Sequence, residues 1–380
     1  PSLECVGALT RTDLPVVVLD TTETYDFGAT QDPGEISYCH GIHGVMDMCS
    51  LLLRQGKQYA IAAGHYSESD VFQRTAGFVR AAVAARALRG SRVGSLGGSF
   101  EGMGDFLVSD EELKSHFGVT VVYPEEGELA SILGSISDEE TAREVELDRT
   151  NCYEIEPVDP AAHIRTAKNC LAVRRWTQKH GLSAFTANFR TITETGLTTM
   201  PFMEACKAMA RGIGYAGEGD VLTAALLGAL LRGFPESSFV EIFCPDWRGN
   251  TLLLSHMGEY NPNLICQRAG MKEMNFIFGK GENPVVSYGC YRGGEAVFIN
   301  LHRTAEGFRL LASPVEMLDV SGDNFESRVR GWMRPHMPIA GFLETLSRAG
   351  ATHHSALVYG ARPEQIGFFA SLCGLSCEII

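Results

Sequence analysis

The pattern of apolar runs changes once along this chain, near residue 234, and that change limits the folds open to it. Before it, strand-length runs alternate with helical stretches: a strand at 14–19, a polar loop, a helix over 44–55, a strand at 59–63 and an Ala-rich helix over 71–88 closed by Gly90. Such alternation implies a parallel sheet with helices on its faces. The pattern restarts at 92–96 with a glycine-rich loop (Gly97, Gly98, Gly102, Gly104). A strand at 119–123, a charged helical stretch through 139–146, a helix over 161–180 stopped by Gly181 and a strand at 183–189 follow. Beyond 234, short strands at 239–244, 251–257, 285–291, 296–301 and 308–312 are separated by Gly, Asn and Pro turns. Few helices intervene, which reads as an antiparallel, barrel-like unit. Helix (339–349), strand (355–359), helix (363–372) and a terminal strand close the chain.

The expected fold class is therefore α/β: an N-terminal α/β domain over 1–90, a central α/β domain over 91–233, and a C-terminal domain over 234–380 containing an antiparallel β-barrel. Two strands are too few for a parallel sheet of their own. The chain also opens Pro1-Ser2-Leu3 without an initiator Met. A chain lacking its first β-α units is the expectation, with an apolar sheet edge or face left open near 14–19 and 59–63.

Charge and cysteine content narrow the function. With 32 basic against 46 acidic residues the net charge is −14, which argues against a nucleic-acid or anionic-membrane surface. No apolar stretch reaches the roughly 18 residues that span a bilayer, and the opening residues do not show the charged-then-apolar pattern expected of a signal. The eleven cysteines are scattered, without a CxxC pair, and Cys373 and Cys377 read as packed thiols. A reduced, cytoplasmic protein is expected.

One motif misleads. Gly212-Ile213-Gly214-Tyr215-Ala216-Gly217 is a literal GxGxxG, but a dinucleotide fingerprint needs that loop directly after a strand. Here it follows the helical pattern 201–209. A nicotinamide-dependent oxidoreductase is accordingly a weak alternative. After the glycines, Asp220 is a natural N-cap for an all-apolar, buried helix. Glu218 has no such structural reason, and a carboxylate at the mouth of a buried helix is either solvated or bound to something.

A second carboxylate lies in the hairpin around 247–250. Period-2 alternation puts Phe239, Glu241 and Phe243 on one face of the first strand and Leu252, Leu254 and His256 on one face of the second. A four-residue loop makes every cross-strand pair sum to 497, which sets Phe243 beside Leu254 and Glu241 beside His256. A Glu and a His on an apolar face are costly to bury unless satisfied, either by each other or by a shared divalent metal. A third component is Thr352-His353-His354-Ser355, between a helix stop and a strand. Strand alternation lets only one of the two histidines point into a given site.

Glu218 in Gly217-Glu218-Gly219-Asp220, Glu241 in Phe239-Val240-Glu241, His256 in Ser255-His256-Met257, and His353-His354 occur in this order. The set resembles the L-arabinose isomerase family, within the L-arabinose/L-fucose isomerase fold group. The stretch 214–226 is the most specific piece, and Gly41-Ile42-His43-Gly44, Ala63-Gly64-His65 and Phe100-Glu101-Gly102-Met103-Gly104-Asp105 extend the likeness over nearly the whole chain. The resemblance implies a catalytic Mn²⁺, or another divalent cation such as Co²⁺ or Mg²⁺, held by Glu218, Glu241, His256 and one of the final pair, assigned to His354. It further implies homo-oligomers, often hexamers, in which the first domain of one subunit completes a neighbour's site. His43 matches a substrate-side histidine, and His40 stands where the arabinose enzymes usually carry Gln, which leaves the choice of sugar open. His353 would then face away from the metal, on the substrate side. Glu at 241, where L-fucose isomerases have Asp, favours the arabinose type.

The ligand types themselves suggest the chemistry. Two carboxylates and two imidazoles leave an octahedral ion about two positions for vicinal sugar oxygens, whereas a structural zinc closes at four ligands. The expected reaction is aldose–ketose isomerisation of a pentose or 6-deoxyhexose through an enediolate, with Glu218 and Glu241 jointly as acid and base. It requires no nucleotide. A catalytically silent sugar-binding protein on the same scaffold is the alternative. In a metal-free protein the two carboxylates should lie close together, with at least one pKa strongly raised by burial and mutual repulsion.

Overall fold

Helix α1 (Ser2–Arg11), which the sequence pattern does not announce, packs its Val6 face against α3 in the computed structural model, which describes residues 2–380. Strand β1 (Val16–Asp20), the short α2 (Ile36–Cys39), α3 (Ile42–Arg54), β2 (Tyr59–Ala63) and α4 (Val71–Leu88) follow. β1 and β2 pair in parallel as a two-stranded sheet, with Leu14, Leu19 and Ile61 exposed along it.

The middle of the chain runs β3 (Arg92–Leu96), α5 (Asp110–Phe117), β4 (Thr120–Val122), α6 (Glu128–Gly134), α7 (Asp138–Asn151), β5 (Cys152–Glu154), α8 (Pro160–Lys179), β6 (Ala184–Ala187), α9 (Phe202–Ala210), β7 (Gly214–Gly217) and α10 (Val221–Gly233). Four of these strands form an all-parallel sheet in the order β4-β3-β6-β7. The glycines at 212–217 have the composition of a loop, yet residues 214–217 are its fully buried edge strand. The glycines serve close approach. A Cβ on Gly214 would lie 2.2 Å from the backbone N of Gly228, because β7 packs directly on α10. Gly214→Ala is therefore expected to lower stability by about 2–3 kcal/mol through overpacking against backbone that cannot yield. A fall in urea midpoint without a change in slope would register it.

The remaining elements are β8 (Ser237–Asp246), β9 (Thr251–Ser255), β10 (Ala269–Glu273), β11 (Val285–Tyr288), β12 (Gly294–Thr304), β13 (Gly307–Leu318), β14 (Gly331–Pro335), α11 (Ile339–Ala349), β15 (His354–Tyr359), α12 (Pro363–Leu372) and β16 (Ser376–Ile379). Six of the strands, in the order β12-β15-β8-β9-β14-β13, pair antiparallel and close through β12–β13 into a barrel. β16 adds to β13 in parallel. The fold class is thus as expected, parallel α/β units plus a closed antiparallel barrel. A small sheet, β11-β10-β5, joins the middle stretch to the last one. All eleven cysteines are free thiols. Among the described residues no helix is long and apolar enough to cross a membrane.

Helix α10, buried at every residue but Arg232, is the hub. It contacts β6 and β7 on one side, α4 on another, and β8, β12 and β15 of the barrel. Its N-terminus therefore opens at the junction of the parallel sheet and the barrel.

Candidate metal centre and active site

Glu218 connects β7 to α10 with φ 63°, in the left-handed region. That conformation costs a residue with a side chain about 1–3 kcal/mol and persists only where neighbours enforce it. They do so here. The Glu218 carbonyl accepts from the N–H of Phe100 (3.0 Å), and Gly219 N donates to Thr186 Oγ1 (3.0 Å). A Cβ on Gly219, at φ 85°, would meet the Gly98 carbonyl at 2.2 Å. The loop after β3 and the loop after β7 are thus interlocked, and Glu218 is held out from the helix mouth.

Glu241 comes from the barrel. It pairs across β15 with His354 and across β9 with Ser255. The 497 register holds at Asp246–Thr251, Pro245–Leu252 and Cys244–Leu253, and then a bulge between Ile242 and Cys244 shifts it by one. The expected partners, Phe243 with Leu254 and Glu241 with His256, are not formed, because the bulge inserts one unpaired residue into β8. His256 instead lies one residue beyond the end of β9, and its Nε2 still reaches within 3.6 Å of Glu241 Oε2.

Three imidazoles are each backed by a carboxylate. His256 Nδ1 is 2.6 Å from Glu259 Oε2, His354 Nδ1 is 3.0 Å from Asp220 Oδ2, and His353 Nδ1 is 2.6 Å from Asp105 Oδ2. A carboxylate at Nδ1 leaves Nε2 as the outward-facing donor, the arrangement common around metal-bound histidines. Those Nε2 atoms face the two glutamates. Glu218 Oε2 is 3.5 Å from His353 Nε2 and 3.9 Å from His354 Nε2. Two groups of possible ligands result, Glu241–His256–His354 and Glu218–His353–His354, joined through His354. Phe239 touches the rings of both His256 and His354, and Phe106 stacks on His354 at 5.2 Å.

Of the four residues expected to meet, Glu241, His256 and His354 form one group, and Glu218 adjoins it through His354. His353 was expected to face away and does not; it precedes β15, so strand alternation does not govern it. His40 and His43 stack on each other (4.8 Å between ring centroids) on the exposed helices α2–α3. They share no hydrogen bond or ion pair with the cluster.

Burial pushes the Glu241 carboxyl above its usual range despite the nearby imidazoles. Burial acts in the same direction on Glu218, but the close His353 imidazole, at 3.5 Å, and the charges of His354 and His256 outweigh it, so its pKa is lowered. The expected mutual repulsion is thus the smaller effect, because imidazoles stand between the carboxylates. His256 is raised: burial opposes its charge, and Glu259 overcomes that. Burial lowers the His353 pKa, but Asp105 and Glu218 lift it to about 10.

Glu218 Oε2 and His354 Nε2 are buried without a hydrogen-bond partner. Such atoms cost about 1–3 kcal/mol each unless something satisfies them, and a divalent cation suits a carboxylate–imidazole set. Sequence reading missed Glu259, whose Oε1 also accepts from Tyr215 Oη (3.0 Å); its signal is the i,i+3 spacing from His256. Asp220 was read only as an N-cap, a task it performs through Thr223 N (2.9 Å) with its other oxygen. Beside the cluster lies a cavity of about 130 Å³ whose apolar wall includes Phe189, Met200, Phe202, Met257, Phe276 and Phe278.

Comparison with known proteins bears on the whole of this framework. Residues 109–232 match the L-arabinose isomerase central domain, and residues 236–376 match the L-arabinose isomerase C-terminal domain. An L-arabinose isomerase of Shouchella clausii is 25% identical over 353 residues, covering 89% of this chain and 70% of the relative. One from Geobacillus kaustophilus is 26% identical over 397 residues, covering 100% of this chain and 78% of the relative. A Salmonella arizonae L-arabinose isomerase is 25% identical over 359 residues, with 89% and 70% covered. Two consecutive domains of one family, matched in order over most of the chain, place it plainly: the chain belongs to the L-arabinose isomerase family.

Proposed function

We propose that the protein is a divalent-cation-dependent aldose–ketose isomerase acting on the open-chain form of a pentose or 6-deoxyhexose. Glu218, Glu241, His256 and His354 would hold the cation, Mn²⁺ by preference and Co²⁺ or Mg²⁺ in its place. The observation that carries this reading is the convergence of two glutamates, from the helix mouth and the barrel, on imidazoles whose far nitrogens are already held by Glu259 and Asp220. Bound there, the cation would neutralise charge on two neighbouring sugar oxygens and make the adjacent C–H easier to ionise.

The remaining work falls to the chain. One glutamate takes the C2 proton and returns it to C1, while the other moves the hydroxyl proton from O2 to O1, so that the carbonyl passes from C1 to C2. Glu218 and Glu241 share these roles. The largely apolar wall of the cavity beside them suits a short carbon end or a terminal methyl. The stacked His40 and His43 are exposed, as residues serving a neighbouring copy's site in a homo-oligomer would be.

Incubating the Mn²⁺-loaded protein with a panel of aldopentoses and 6-deoxyaldohexoses, and following ketose formation by NMR, tests the proposal. At least one sugar should convert. Binding without conversion of any sugar would instead identify a silent sugar-binding protein.

A further inference from the structure

The loop between β3 and α5 carries a carboxylate that the reaction scheme above does not use. Asp105 Oδ2 accepts two hydrogen bonds from one residue, the backbone N–H of His353 at 3.0 Å and its ring Nδ1–H at 2.6 Å. The sheet ladder of β15 begins only at His354, paired with Glu241. Backbone pairing therefore fixes His354 but leaves the direction of His353 unset. Among the described residues nothing else hydrogen-bonds its Nδ1 or backbone N–H.

The loop itself is anchored on both sides of the site. Thr191 Oγ1 donates to the Gly97 carbonyl (2.7 Å), Asn188 Nδ2 to the Ser99 carbonyl (3.0 Å), and Phe100 N to the Glu218 carbonyl. Next to Asp105, Phe106 lies flat on His354 with ring planes 6° apart. Asp105 is thus a fixed point rather than a free surface acid, and its contact turns His353 Nε2 toward Glu218. The His353 side chain keeps 24% of its surface exposed, so the ring is not sealed off from an approaching substrate.

We infer that Asp105 is a positioning residue: it fixes the backbone and ring of His353 so that Nε2 faces Glu218 and the bound sugar. The inference rests on the isomerase reading above. The comparable carboxylate contacts behind metal-bound histidines are worth about 10–100-fold in activity, and that sets the scale expected here.

Asp105→Ala should lower kcat by roughly 10–100-fold while the Mn²⁺ affinity, set by the other four side chains, changes less than about twofold. Asp105→Asn keeps an oxygen acceptor in place and should recover most of the loss. In a His353→Gln background, Asp105→Ala should have little further effect, since the contact it removes no longer has a ring to orient. A crystal structure of Asp105→Ala should show the His353 ring no longer held toward Glu218, a readout that does not depend on turnover. Equal loss from Asp105→Ala in both backgrounds, an Asn variant as impaired as the Ala variant, or an unmoved His353 ring would overturn the assignment. Wild-type protein that converts no sugar, with the ring nonetheless released in the variant, would locate the failure in the isomerase reading instead.

Discussion

Glu241→Gln should leave the barrel folded and reduce isomerisation by about 10²-fold or more, the usual effect of removing a general acid or base. The two halves of this expectation have separate causes. Glu241 sits between His354 and Ser255 on neighbouring strands, and burial raises its pKa. For an acid, a folded-state pKa above the unfolded value means that folding disfavours the charged form. The residue therefore costs stability at pH values above its unfolded pKa, and the neutral, isosteric Gln removes that cost. Melting at neutral pH, without added metal, should be unchanged or higher in the variant. Activity should fall because an amide can neither take the C2 proton nor give one back. A variant that turns over normally would move the chemistry to another residue.

Stripping divalent cations should abolish turnover and also lower thermal stability. Among the described residues the buried Glu218 Oε2 and His354 Nε2 have no hydrogen-bond partner, and a cation that satisfies both binds the folded state alone. At a concentration 100 times its Kd, such a ligand stabilises by about 2.7 kcal/mol. Chelator should thus lower Tm as well as activity, and Mn²⁺ or Co²⁺ should restore both. Full turnover in chelator would contradict the proposed role of the four donors, and a Tm indifferent to Mn²⁺ would contradict the site.

Most of the architecture was legible because it rests on local signals. The strand–helix alternation, the glycine stops at Gly181 and Gly350 and the shift to short strands near 234 each correspond to elements in place. Closure of the barrel is a tertiary event between β12 and β13 that no local pattern announces. The strand β7 was hidden because its glycines, needed for contact with α10, carry the composition of a turn. The hairpin register was right for three pairs and then lost to the bulge near Phe243, since the apolar alternation there runs on without a glycine to mark it.

At the site, the residue types and their order in the chain were readable, but their surroundings were not. Side-chain alternation misjudged His353 because the residue lies outside the strand it adjoins. The carboxylates behind the imidazoles come from distant segments in two cases, Asp105 and Asp220, and no spacing rule reaches that far. Glu259 was within reach at i,i+3 from His256.

The proposed mechanism requires one divalent cation among Glu218, Glu241, His256 and His354. Diffraction data collected at the manganese absorption edge from Mn²⁺-soaked crystals test it most directly. The expected result is a single strong anomalous peak with donor atoms of all four side chains around it. A site without that peak in protein that isomerises a sugar, or a peak held by other residues, would contradict it.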